Sequence, residues 1–151
     1  MNILIFLDGV LRRAKDRSPI QEGTSLFKSL SEKARVVVLV DDKLEAERWF
    51  KENGMSQKLD DIVDYKDKAA DDQKFRQVDY CRSQGKINYV VTDDIDLAAK
   101  LLESGVTTYL FLAPRYIRPE FRPDGRGRKS WDAVIEELDK QQELYTEDPR
   151  V

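Results

Sequence analysis

Five short apolar runs alternate along the chain with stretches of mixed polarity: ILIFL at 3–7, VVVLV at 36–40, DIVDY at 61–65, INYVV at 87–91 and VTTYLFL at 106–112. Four of the five are rich in β-branched residues and nearly continuous in apolar character, as strands buried on both faces are. The intervening stretches carry apolar residues at helical spacing: Leu26, Phe27 and Leu30; Leu44, Trp49 and Phe50; Phe75, Val78 and Cys81; Leu97, Ala98, Leu101 and Leu102. Gly105 stands where a helix C-cap is expected. A last helix is predicted over 130–145, with Ser130 as N-cap and Trp131, Val134, Ile135 and Leu138 on one face.

Strict strand–helix alternation predicts an α/β fold, a Rossmann-like three-layer sandwich around a five-stranded parallel sheet. One domain over 1–145 is expected, including a basic arm at 114–129 and the helix at 130–145, with a frayed tail at 146–151. Ligands of such folds sit at the carboxyl ends of the strands, so the residues just after each run are the ones to read for chemistry.

Composition narrows that chemistry. The chain has 151 residues, 36% of them charged, and a net charge of −3, which gives no overall attraction to nucleic acid or anionic membrane. With no histidine, imidazole bases and His-ligated metals are excluded, and Cys81 alone forms neither an internal disulfide nor a cysteine-rich zinc site. Catalysis would fall to Asp, Glu, Lys, Arg, Ser, Thr or Tyr, with an oxygen-ligated ion such as Mg²⁺. No stretch approaches the roughly 20 apolar residues of a membrane span, and the start MNILIFLDG lacks the basic, long pattern of a signal peptide. A soluble, cytoplasmic protein with no membrane partner is expected.

Four strand ends carry the candidate residues. After the first run comes FLDGVL, residues 6–11, where Phe6 and Asp8 share one side of the strand end by the two-residue period. The second run ends at Val40 and is followed by Asp41 and Asp42, which also suit helix N-capping. DDQKF at 71–75 puts Lys74 in a first helical turn, against the helix dipole, with Lys68 as a second candidate. The fourth run leads into Asp93 and Asp94, adjacent carboxylates that need a cation or a helix N-terminus to offset their repulsion.

Together these residues resemble the motifs of the haloacid-dehalogenase (HAD) superfamily over about three-quarters of the chain, from the start to Pro114. In that family the pattern Asp-x-Asp-Gly-[Thr/Val]-Leu supplies a nucleophile and, two residues on, a general acid. Asp8, Gly9, Val10 and Leu11 match its second half, and Phe6 stands at the nucleophile's place. The resemblance assigns Val40 to the Ser/Thr position that hydrogen-bonds the phosphoryl group. A valine cannot donate, and Asp41 would repel a phosphate dianion. Lys74 falls where phosphatase domains of the polynucleotide-kinase type hold a phosphate-neutralising lysine. Asp93 and Asp94, with Asp8, match the acids that hold Mg²⁺. Only residues 12–22 separate the first motif from its helix, so no inserted cap domain is expected; capless members act on large substrates or rely on partners for closure.

The arm carries Arg115, Arg118, Arg122, Arg126, Arg128 and Lys129, interleaved with aromatics and three prolines. It suits a protein partner or a second copy through 114–145, and nucleic acid as the lesser expectation. RPEFRP at 118–123 resembles small HAD-like proteins of actinobacterial phages, which would place the protein in a host cytoplasm. The expectation for the whole is a degenerate HAD-like domain that binds rather than hydrolyses and requires no cofactor. A weak or vestigial Mg²⁺ site and a Phe6 ring projecting into the pocket mouth go with it. The alternatives are a Mg²⁺-dependent phosphatase acting on a phosphorylated nucleotide or nucleic-acid end, and a nucleic-acid-binding module working through the arm.

Overall fold

Strands form at Asn2–Phe6 (β1), Arg35–Leu39 (β2), Asp61–Val63 (β3), Tyr89–Thr92 (β4) and Thr108–Leu110 (β5). Helices form at Gln21–Ser31 (α1), Lys43–Glu52 (α2), Gln73–Gln84 (α3), Ile95–Glu103 (α4) and Trp131–Glu147 (α5). These elements come from a computed structural model, which describes residues 1–114 and 131–148. It distinguishes two units, Met1–Leu112 and Ala113–Val151.

In the first unit all five strands pair in parallel, in the order β3-β2-β1-β4-β5. The apolar runs are continuous because both faces of the sheet are covered. Ile3, Ile5 and Leu7 point to one side, with Val36, Val38 and Val40, and pack against Phe27 of α1 and Trp49 and Phe50 of α2. Leu4 and Phe6 point to the other, with Val37, Leu39 and Val90, and pack against Val78 and Cys81 of α3 and Leu97 and Leu101 of α4. The expected α/β three-layer, Rossmann-like arrangement is therefore observed. The loop between β1 and α1 is short and holds no inserted domain.

The two edge strands are shorter than their apolar runs predict, covering 61–63 of 61–65 and 108–110 of 106–112. Each has a single neighbour to pair with, and Tyr109 and Leu112 are exposed. Leu44 and Leu102, expected on the buried helix faces, are exposed as well. The stripe of α2 is set by Ala46, Trp49 and Phe50, and that of α4 by Leu97, Ala98 and Leu101, so Leu44 and Leu102 fall off the contact line. Gly105 does end α4, with φ 84°. Its N–H donates to Leu102 O at 3.1 Å and that of Val106 to Leu101 O at 2.9 Å, a Schellman pair that a left-handed residue makes at little cost.

In the second unit α5 runs two residues past the expected end at 145, to Glu147, and residues 149–151 of the expected tail lie outside the described residues. Trp131, expected on the apolar face, is exposed at the first turn, whereas Val134, Ile135 and Leu138 are half-buried. Arg115, Arg118, Arg122, Arg126, Arg128, Lys129 and Ser130 lie outside the described residues. No helix among the described residues is long and apolar enough to cross a membrane.

Candidate functional site

The chain leaves β1 toward β2 and β3 on one side and returns to β4 and β5 on the other, so the sheet order reverses at the β1–β4 neighbour pair. A crevice outside the carboxyl ends of the strands at such a reversal is where open α/β sheets bind ligands. FLDGVL follows β1, and Asp93 and Asp94 follow β4, so both motifs arrive at this place.

Two groupings result. In the first, Gly9 and Asp93 are in close apposition: a Cβ added at Gly9 would fall inside the Asp93 carboxylate. Gly9 also has φ 96°, a conformation that side-chain-bearing residues adopt only with strain. The glycine of the motif thus lets the β1 loop and the β4 acid meet. Gly9→Ala should cost about 2–4 kcal/mol, combining backbone strain with overpacking. Urea unfolding would measure it, and a loss under about 0.5 kcal/mol would show that the two loops do not meet this way.

In the second grouping, Lys74 in the first turn of α3 reaches Asp94 Oδ2 at 3.4 Å. Asp94 Oδ1 meanwhile accepts the Leu97 N–H at 3.1 Å and caps α4. Asp72 caps α3 by accepting the Phe75 N–H at 3.1 Å, and Lys100 of α4 donates to its second oxygen at 2.6 Å. Each helix cap is therefore held by a lysine of the other helix. Burial works against ionisation of Asp72, but Lys100 and the Phe75 amide together hold its carboxyl below the ordinary value. The lysine in the unfavourable first turn of α3 is explained by the Asp94 carboxylate opposite it.

Phe6 does not project into a pocket mouth. Its side chain is packed in the α3/α4 core, with the residue 4% exposed, and Lys74 Nζ lies 5.9 Å from its ring centroid, within cation–π reach. The expectation failed because β1 is central and covered on both faces to its last residue, leaving an apolar side chain there no solvent to face. Val40 is buried in the opposite core, and its carbonyl accepts Gln77 Nε2 at 2.7 Å. Asp41 is exposed; Asp42 caps α2, accepting the N–H groups of Leu44 at 3.1 Å and Glu45 at 3.3 Å. Lys68 is exposed in the β3–α3 connection, and Lys74 is the lysine brought to Asp94.

Asp8 is engaged by a residue that the sequence reading missed. Arg12 Nε donates to Asp8 Oδ1 at 2.7 Å, while Nη1 and Nη2 donate to the two Glu45 oxygens at 2.7 and 3.0 Å. The Arg12 side chain is 6% exposed and its guanidinium lies 5.8 Å from the Trp49 ring centroid. Burial opposes the Arg12 charge, but Glu45 and Asp8 outweigh it and raise its pKa. Glu45 in turn is held below its ordinary value by the Arg12 hydrogen bonds, against the effect of its own burial. Arg17 adds a contact to Glu45 at 3.3 Å, and Trp49 Nε1 donates to the Arg17 carbonyl at 2.9 Å, so the β1–α1 loop is pinned onto α2. The i,i+4 spacing of Asp8 and Arg12 was the only hint in the sequence; Glu45 lies 33 residues further on.

Two of the three acids that the resemblance gives to Mg²⁺ are engaged by protein groups. Asp8 is bound by Arg12, Asp94 is divided between a helix cap and Lys74, and among the described residues no three Asp, Glu, His or Cys side chains gather closely enough to hold a metal ion. No family model matches the chain, and no curated protein matches it.

Proposed function

We propose that this chain is a degenerate HAD-like domain, a pseudo-phosphatase that binds a partner rather than turning over a phosphate ester. The observation that carries the reading is Phe6. At the place the resemblance gives to the nucleophile stands a ring buried in the core beneath Lys74, so the first chemical step has no attacking atom.

Three further features support it. Val40 offers no side-chain donor at the second motif, where one oxyanion-type hydrogen bond is worth roughly 3 kcal/mol. Asp8, the general acid by resemblance, is tied to a buried guanidinium. Lys74, the phosphate-neutralising lysine by resemblance, is turned to Asp94. No cofactor is required on this reading. The partner is a protein or a second copy, engaged through 114–145; nucleic acid is the lesser alternative.

Incubation with p-nitrophenyl phosphate, nucleoside monophosphates and 5′-phosphorylated DNA, with and without Mg²⁺, tests the proposal. No release of phosphate above the protein-free blank is expected. Metal-dependent release that scales with protein concentration would favour the phosphatase alternative.

A further inference from the structure

The two edges of the sheet are finished differently. At β3 the Val63 carbonyl accepts the Val40 N–H at 2.9 Å, so the alternate residue, Ile62, turns its N–H outward. There it donates to Asp61 Oδ1 at 2.8 Å, and the exposed Asp60 and Asp64 flank the strand. A strand approaching this edge would meet charge and an amide already taken.

At β5 the edge is open. The Thr107 carbonyl accepts the Val90 N–H at 3.0 Å, and the Phe111 N–H donates to the Thr92 carbonyl at 2.8 Å. Across a planar trans peptide the N–H and C=O point opposite ways, so the Thr108 N–H and the Leu110 carbonyl are turned outward. Neither has a hydrogen-bond partner among the described residues. Residues 106–113, VTTYLFLA, include no charged side chain in a chain where 36% are charged. Tyr109 is 56% exposed, and Leu112 is exposed beside it. An uncharged edge with outward backbone groups is a template for another strand.

The strand that fits is the same edge of a second copy. Antiparallel pairing about a two-fold axis opposes β5 to itself, and the uncharged run brings no like charges together. With Leu110 opposite its own copy, Tyr109 of each copy lies across from Phe111 of the other, an aromatic cross-strand pair made twice. The charges beyond the run favour the same direction. Glu103 precedes it, and Arg115 and Arg118 follow it, so antiparallel strands match opposite signs at both ends where parallel strands would match like ones.

We infer that the β5 edge is a self-association surface, on which two copies join antiparallel into one continuous sheet. The closed β3 edge leaves each copy a single joining edge, so association stops at the dimer. This surface is distinct from 114–145, and the inference does not depend on the pseudo-phosphatase reading.

Size-exclusion chromatography with light scattering tests it on the full-length chain, from roughly 1 to 300 µM. Wild type should pass from monomer to dimer mass over that range and go no further. Thr108→Pro deletes the outward N–H at the first residue of the strand, where an edge accepts proline, and breaks no bond to β4. Tyr109→Lys puts a like charge into both halves of the joined edge. Each variant should raise the dimer dissociation constant by about tenfold or more and keep the wild-type far-UV circular dichroism. Amide hydrogen exchange of wild type needs no variant: exchange at Thr108 and Leu110 should slow as concentration rises. If a variant unfolds, the exchange decides.

A wild type that stays monomeric throughout would overturn the inference. So would a dimer that both variants leave intact, which would put the contact elsewhere, 114–145 included. Slow exchange at Thr108 and Leu110 in the monomer would mean that the chain covers its own edge, and growth beyond the dimer would rule out a closed two-fold; either overturns it. None of these failures touches the pseudo-phosphatase reading, which stands or falls on phosphate release.

Discussion

Phe6→Asp should lower folding stability by about 4 kcal/mol or more, because two costs add. Emptying the space of a buried phenyl ring costs about 3–5 kcal/mol in core truncations generally. Phe6 is in that situation, packed in one cluster with Leu4, Leu39, Val78, Val90 and Leu97. The incoming carboxylate must also enter an apolar core, where it either stays protonated or draws on a cation. Lys74 lies within 5.9 Å of the ring, but it is half-exposed and already paired with Asp94, so its help is small. Phe6→Leu, which retains most of the apolar volume, should cost only about 1–1.5 kcal/mol. Urea unfolding followed by circular dichroism separates the two. An aspartate variant within about 1 kcal/mol of wild type would mean that position 6 opens on a pocket and is not part of the core.

Arg12→Met should cost about 2–4 kcal/mol at neutral pH, since it strips two carboxylates of a shared, largely buried partner. The loss has a definite pH dependence. Arg12 holds the Glu45 carboxyl below its ordinary value of 4.5, so the folded state favours the ionised form. A depressed carboxyl pKa contributes stability that is complete above the unfolded value and vanishes as pH falls through the folded one. The gap between wild type and Arg12→Met should therefore be constant from neutral pH down to about 5 and narrow below about pH 4.5. Equilibrium unfolding at a series of pH values reads this directly. A gap that is unchanged at pH 3, or that widens in acid, would show that Glu45 is not the group through which Arg12 acts.

The fold was legible in the chain because its signals are local. Each apolar run became a strand, and Gly105 ended its helix in the left-handed turn expected of it. Burial on both faces followed from the near-continuity of 3–7 and 36–40. What ran over was length: the runs at 61–65 and 106–112 lie at the sheet edges, where pairing on one side supports fewer residues. Leu44 and Leu102 were misplaced because helical spacing defines a stripe but not which neighbour it meets.

The site was legible in part. Strand ends brought Asp8, Asp93 and Asp94 to one end of the central strands, Lys74 reaches Asp94 from the first turn of α3, and Asp42 took up the capping that its position suggested. Arg12 and Gln77 were not foreseen. Their partners, Glu45 and the Val40 carbonyl, are 33 and 37 residues away in sequence. Pattern within one element says nothing of such pairs. Nor did it say that an apolar residue at position 6 would be absorbed into the core, which depends on how α3 and α4 close over β1.

On the proposed reading, the position that resemblance gives to the HAD nucleophile has no attacking atom. Side-by-side progress curves of wild type and Asp8→Asn, purified identically and given 5′-phosphorylated DNA and p-nitrophenyl phosphate in Mg²⁺ buffer, test it most directly. Two superimposable curves are expected, both equal to the blank, even at the highest protein concentration used. Phosphate release by wild type that disappears in Asp8→Asn would contradict it, because only a working site depends on that carboxylate.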